Sequence, residues 1–222
     1  MKKYSSFVLA VLLLFTLLSG CSSYPDTVPD SLVQTVVSGE TCGNSVYSYD
    51  PECISILHDP DTDAHTDTVD VEMAFSGVYC DLVYESTYTF QYSRDSDIWS
   101  CISREEPCYL RKDFYESAIN GEYFSGEKSK YGYGRYNWEV NVIDFDYEEG
   151  TFTVEYNITN TYNNGEDSLN WSDTDTFNFC YDYYDDIYFE IPCGYTQGSK
   201  SYDLFLRITF GHIGASGEIK GW

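Results

Sequence analysis

The chain has 222 residues, enough for one substantial core or two small ones, and carries 12 basic against 37 acidic residues for a net charge of −25. A surface this acidic repels nucleic-acid phosphates and anionic lipid headgroups, so nucleic acid is excluded as a partner; divalent cations, cationic ligands and uncharged glycans remain. Aromatic residues make up 18 %, with 23 tyrosines, a composition suited to half-buried faces of β-sheets.

The first predicted element is a targeting segment. Met1-Lys2-Lys3 opens the chain, an apolar run follows from Phe7 to Leu18, and LSGC ends at Cys21. A positive start, a short apolar stretch and small residues before a cut site make a secretory signal peptide. The run is shorter than the roughly 20 apolar residues of a membrane span. LSGC also resembles the lipobox of bacterial-type lipoproteins, with Leu18, Ser19 and Gly20 fitting the motif. The resemblance implies cleavage after Gly20, a lipid on Cys21, and an extracytoplasmic protein anchored to the cell membrane or outer membrane. Cleavage removes two lysines and no acids, so the mature charge is −25 − 2 = −27. The membrane contact is then expected through the lipid on Cys21, with the body held off the bilayer. Residues 21 to 40, with two prolines and several Ser and Thr, read as a flexible tether. Residues 41 to 222 read as the folded domain, with a candidate sub-boundary near 110 to 120.

The sharpest chemical signal comes next, in DPDTDAHTDTVD. Asp59, Asp61, Asp63, Asp67 and Asp70 fall at positions 1, 3, 5, 9 and 12 of the stretch, the ligand spacing of an EF-hand-type loop. His65, at position 7, would contribute its backbone carbonyl. The stretch resembles the calcium loops of EF-hands and thrombospondin type 3 repeats, which implies calcium as a cofactor. Ala64 stands where glycine makes the sharp turn, Asp70 replaces the bidentate glutamate, and the flanks do not read as paired helices. The competing reading is a solvated acidic linker.

Beyond this point the pattern is β. Residues 72 to 79, 82 to 92 and 97 to 102 read as strands, and KDFYESAING as a short helix closed by Gly121. In NWEVNVIDFDY, Trp138, Val140 and Val142 share one face and Ile143, Phe145 and Tyr147 the other, a phase switch that predicts a bulge near 142 to 143. EEG at 148 to 150 joins this run to the alternating TFTVEYNIT as a hairpin, with Gly150 in the left-handed position. Leu204, Leu206, Ile208 and Phe210 alternate in a late strand, and GHIGASGE turns the chain into the last one. Eight to ten antiparallel strands with short turns predict an all-β fold, a meandering barrel or a two-sheet sandwich. The strand order resembles the lipocalin and avidin type of barrel, without the motif that defines either family.

Seven cysteines follow Cys21. Outside a membrane such a density implies disulfides, and the local pairs expected are Cys42 with Cys53 and Cys180 with Cys193, leaving Cys80 to Cys101 or Cys108. No two cysteines have the spacing of a zinc or dithiol redox motif. GEYFSGEKS at 121 to 129 comes close to a phosphate loop, but Glu127 displaces Lys128 and puts a carboxylate among the cradling amides. Ser125 and Lys128 have the S-x-x-K spacing of penicillin-recognising enzymes without the companion motifs. No enzyme signature survives. Tyr131, Tyr133, Arg135, Tyr136 and Trp138 in YGYGRYNW form a candidate glycan platform of flat rings, and CYDYYDDIYFE at 180 to 190 has the same character, with acids between the rings. The sequence therefore predicts an exported lipoprotein whose body binds or interacts and does not catalyse, with calcium as the expected stabiliser and a glycan or an envelope protein as the candidate partner; a glycan-binding surface protein, a structural envelope component and an extracellular hydrolase are the alternatives.

Overall fold

The computed structural model of the protein describes residues 25–40, 51–130, 134–162, 165, 167–197 and 199–221. The expected signal peptide, Cys21, Cys42, Tyr131 and Tyr133 lie outside them. The described residues are almost all antiparallel β-structure, arranged as two units with separate hydrophobic cores.

In the first unit, β1 (Glu52–Asp61), β2 (Thr66–Ser76) and β3 (Cys80–Ser93) pair in order. β4 (Ile98–Arg104) and β5 (Cys108–Phe114) then follow one another along the far edge of β3. They are one return strand interrupted at Glu105-Glu106-Pro107, where proline lacks the N–H a ladder needs. Val69, Val71, Met73 and Phe75 of β2 and Leu82, Tyr88 and Phe90 of β3 pack on Val28, Val33 and Val37. These last three belong to the stretch expected to be a tether. Instead Asp30–Val37 forms a helix, α1, laid across the sheet. Val33 and Val37 lie one helical turn apart and share a face, and Pro29 occupies the N-cap, where a missing N–H costs nothing. An isolated helix of eight residues would not persist. Burial at about 1.5–3 kcal/mol for each full-sized apolar side chain holds it.

A short turn of helix, α2 (Glu116–Ile119), leads into the second unit, and Gly121 follows it at φ +86°. One sheet is β6 (Tyr123–Lys130), β7 (Gly134–Asp146), β8 (Thr151–Tyr162) and β9 (Asp167–Asn178) in sequence order. The facing sheet runs β10 (Cys180–Tyr181), β11 (Ile187–Pro192), β14 (Phe205–Gly211) and β15 (Gly214–Lys220), and β12 (Tyr195–Gln197) with β13 (Lys200–Tyr202) makes a small hairpin between. Inward residues of β7 and β8 meet Ile187, Phe189 and Ile191 of β11 and Leu206, Ile208 and Phe210 of β14. Phe152 is at the centre, with ring centroids 4.5 Å from Phe145, 4.7 Å from Phe189 and 5.4 Å from Phe210. The bulge is present: pairing slips between Val142 and Asp144, so Ile143 is exposed while Phe145 returns to the core. Gly150 turns the β7–β8 hairpin at φ +74°. Among the described residues no sheet closes on itself, so the second unit is a sandwich and not a barrel.

Candidate functional site

The acidic stretch 59 to 70 is a hairpin. Asp59 and Asp61 are on β1, Asp67 and Asp70 on β2, and Asp63 is in the turn between. Successive side chains alternate between the two faces of a strand. Asp59 and Asp61 pair with Thr68 and Thr66, and Asp70 with Leu57, all on the outer face. Asp67 points the other way and is fully buried. One of its oxygens accepts from Val28 N–H at 2.9 Å and lies 2.7 Å from His58 Nδ1, whose Nε2 is 3.0 Å from Asp30. Asp61 accepts from the amides of Asp63 and Ala64, both at 3.0 Å, and Asp70 from the Thr87 hydroxyl at 2.7 Å. The five carboxylates are thus divided between two faces. Among the described residues no group of three or more potential metal ligands converges.

The 131 to 138 patch is likewise divided. Tyr136 and Trp138 are 1 % and 6 % exposed on the inward face of β7, and Arg135 points outward to pair with Glu127. Two buried rings cannot serve as a glycan platform. Of the five basic residues between 111 and 135, three are matched by acids: Arg111 with Asp113 and Glu72, Lys112 with Asp186, and Arg135 with Glu127. Ser125 and Lys128 lie three apart on β6 and so face opposite sides of the sheet.

The expected Cys180–Cys193 bridge is not formed. Cys180 is opposite Tyr188 and exposed, whereas Cys193 is buried five positions further along. That is about 16 Å at the rise of a strand, against a Cα separation of about 4.4–6.8 Å in a disulfide. Cys80, Cys101 and Cys108 face Phe114, Phe90 and Glu85, too far apart along β3 to join. Cys53 is a half-buried free thiol on β1.

A cleft of about 670 Å³ opens where the two units meet. One wall is Leu82 and Tyr84 of β3 with Tyr109 and Lys112 of β5. The other is the β10–β11 loop, with His212 and Ile213 from the β14–β15 turn. The junction beneath is tight. His212 Nε2 is 3.0 Å from the Phe75 carbonyl, and the His212 carbonyl accepts from Val78 N–H at 2.7 Å. Gly77 has no room for a side chain, since a Cβ there would stand 2.4 Å from His212 Cδ2.

Polar contacts tie the walls together. Lys112 Nζ donates to the Tyr184 carbonyl at 2.7 Å and pairs with Asp186. The Tyr109 hydroxyl donates to Asp185 at 3.0 Å, and burial together with that carboxylate raises its pKa, keeping it a donor. Burial pushes the neighbouring Cys80 up to about 12, so it is a thiol and not a nucleophilic thiolate at neutral pH. The loop itself is clamped by one carboxylate. Asp182 Oδ1 accepts from the amides of Tyr184 at 2.8 Å and Asp186 at 3.0 Å, while Asp182 N–H donates to the Asp186 carbonyl at 2.9 Å. Asp185 takes the left-handed conformation, φ +58°, that Asp tolerates better than most residues. At the apex Tyr183 and Tyr184 are 91 % and 71 % exposed, with rings edge-to-face at 5.2 Å and 85°.

Comparison of the chain with protein-family models, with curated proteins and with solved structures finds no match. The geometry of the cleft is therefore the basis for placing a ligand site. Two of its rings stood out in the sequence as CYDYYDDIYFE, but Tyr84, Tyr109, Lys112 and Ile213 did not, because strands distant in sequence supply them. The local signal for the loop was Asp182, placed to cap the two amides that follow.

Proposed function

We propose that the protein is an exported, lipid-anchored binding module without catalytic activity, held at the membrane through Cys21 and seating its ligand in the cleft between the two units. The signal peptide and the LSGC motif support the anchoring. The observation that carries the binding site is the exposure of Tyr183 and Tyr184 on a clamped loop at the rim of a large cleft. Large rings left in water on a mobile loop would lose entropy on capture; rings on a loop already fixed lose little. The cleft volume lies within the roughly 300–1,000 Å³ of small-ligand sites. The polar groups of the walls support binding over catalysis, since Lys112, Asp186, Tyr109 and Asp185 are engaged with one another across the junction. Calcium has no part in this reading, because the hairpin aspartates face two ways and Asp67 is spent on His58 and Val28.

The test is a thermal-shift and ligand-observed NMR screen of a mixed library of saccharides, amines and short peptides, run on the mature protein and on a Tyr183→Ala, Tyr184→Ala variant. Binders of the native protein should be lost in the variant, while the melting temperature without ligand stays the same because both rings are exposed. Ligands that bind both proteins equally would place the seat elsewhere.

A further inference from the structure

We infer that the cleft takes an uncharged glycan, with one saccharide ring stacked on the exposed tyrosine corner; this inference rests on the cleft being the ligand seat. The rings of Tyr183 and Tyr184 stand at 85° to one another, forming a corner with one face for stacking and one for a side wall. A pyranose ring matches such a corner: its C–H faces are apolar and its hydroxyls radiate at the edge, where stacking alone cannot satisfy them. Beside the rings, Asp185 and Asp186 each keep a carboxylate oxygen beyond the one bonded to Tyr109 or Lys112. An ionised carboxylate is an acceptor only, suited to pairs of hydroxyl donors. Ile213, 70 % exposed, and Leu82 supply the apolar part of the lining.

Charge decides between glycan classes and against a cation. A net −25 over the chain repels sialylated, sulfated or phosphorylated sugars. An amine would be drawn by the same field, but Lys112 already occupies the position a cation would seek. Its ammonium pairs with Asp186 and donates to the Tyr184 carbonyl, with the side chain only 9 % exposed. A cationic ligand would have to settle beside this buried ammonium or displace it. An uncharged polyol meets neither obstacle.

The experiment is calorimetric titration of the mature protein with uncharged oligosaccharides and, separately, with quaternary and primary amines, each at low and high salt. Saccharide binding should be nearly independent of salt, because no ion pair is screened. It should weaken about tenfold or more in Tyr184→Ala and Tyr183→Ala and persist in Tyr184→Phe, which keeps the ring. Asp185→Asn should weaken it less than loss of a ring does, since an amide still accepts from a hydroxyl. Amine binding that depends on the tyrosines, with no saccharide binding, would overturn the glycan and leave the seat in place. Saccharide binding unaffected by either alanine variant would overturn both, and absence of saccharide binding across a panel of hexose, pentose and amino-sugar oligomers would overturn the glycan.

Discussion

Trp138 lies between two glycines. A Cβ on Gly126 of β6 would stand 2.4 Å from its Cζ2, and one on Gly217 of β15 would stand 3.2 Å from its Nε1. The indole thus closes the sandwich where the edge strands of its two sheets approach, and Gly126, read in the sequence as part of a near phosphate loop, is there to admit a ring. Gly126→Ala should cost about 1–3 kcal/mol, the usual range for overpacking. Ser125→Ala, one exposed residue away, should be near neutral. Urea unfolding of the two variants checks this, and equal stability would mean that the indole has room to move. His58 makes the second case. Burial disfavours its charged form, but hydrogen bonds to Asp67 and Asp30 outweigh that and raise its pKa above 6.5. A raised pKa in the folded protein gives stability that is complete below the unfolded value and lost as pH rises through the folded one. Melting temperature should therefore fall on the alkaline side of 6.5, and His58→Gln should flatten that slope and cost about 1.5–3 kcal/mol at pH 6, the range for hydrogen bonds to charged groups. A native slope unchanged in His58→Gln would show that the decline comes from another group.

At the scale of elements, the hairpin formed by β1 and β2 shows what sequence pattern can and cannot reveal. The spacing of its five aspartates fitted a metal loop as a string, but alternation along a strand sends Asp67 to one face and Asp59, Asp61 and Asp70 to the other. The strand was hidden because its polar residues were counted as a loop. β6, with its Ser, Glu and Lys, and β9, rich in Ser, Asn and Asp, were hidden in the same way, while β7, β8 and β14 were legible from their apolar period of two. α1 was hidden because prolines and serines around it looked like a tether, although Val33 and Val37 already marked one buried face. The cleft could not be read at all, since no local pattern says that β5 will face the β10–β11 loop. For the hairpin the expected outcome is that calcium and magnesium at equal ionic strength shift the melting temperature equally, by screening the acidic surface. Asp59→Asn together with Asp63→Asn should leave the two shifts alike. A larger shift with calcium that the double variant abolishes would restore the metal loop.

The whole molecule is an acidic body of two units joined tightly at Gly77 and His212, with α1 docked on the first. Val28, Val33 and Val37 are docked on the first sheet, and Val28 stands only seven residues after Cys21 in the sequence. On the proposed anchoring through Cys21, so short a stretch would bring a body whose mature charge is −27 close to the membrane, against the repulsion of any anionic headgroup. One acyl chain gives only marginal, reversible binding, and stable anchoring needs a second chain or a basic patch. The basic residues of this protein are few and most of those described are paired with acids, so the proposed attachment rests on the lipid. Cys21→Ser should accordingly move the protein from the membrane fraction to the soluble one, and lowering the salt concentration should not return it, since the acidic body repels an anionic surface. A variant that remains in the membrane fraction through a high-salt wash would instead point to an uncleaved apolar segment from Phe7 to Leu18 as the anchor.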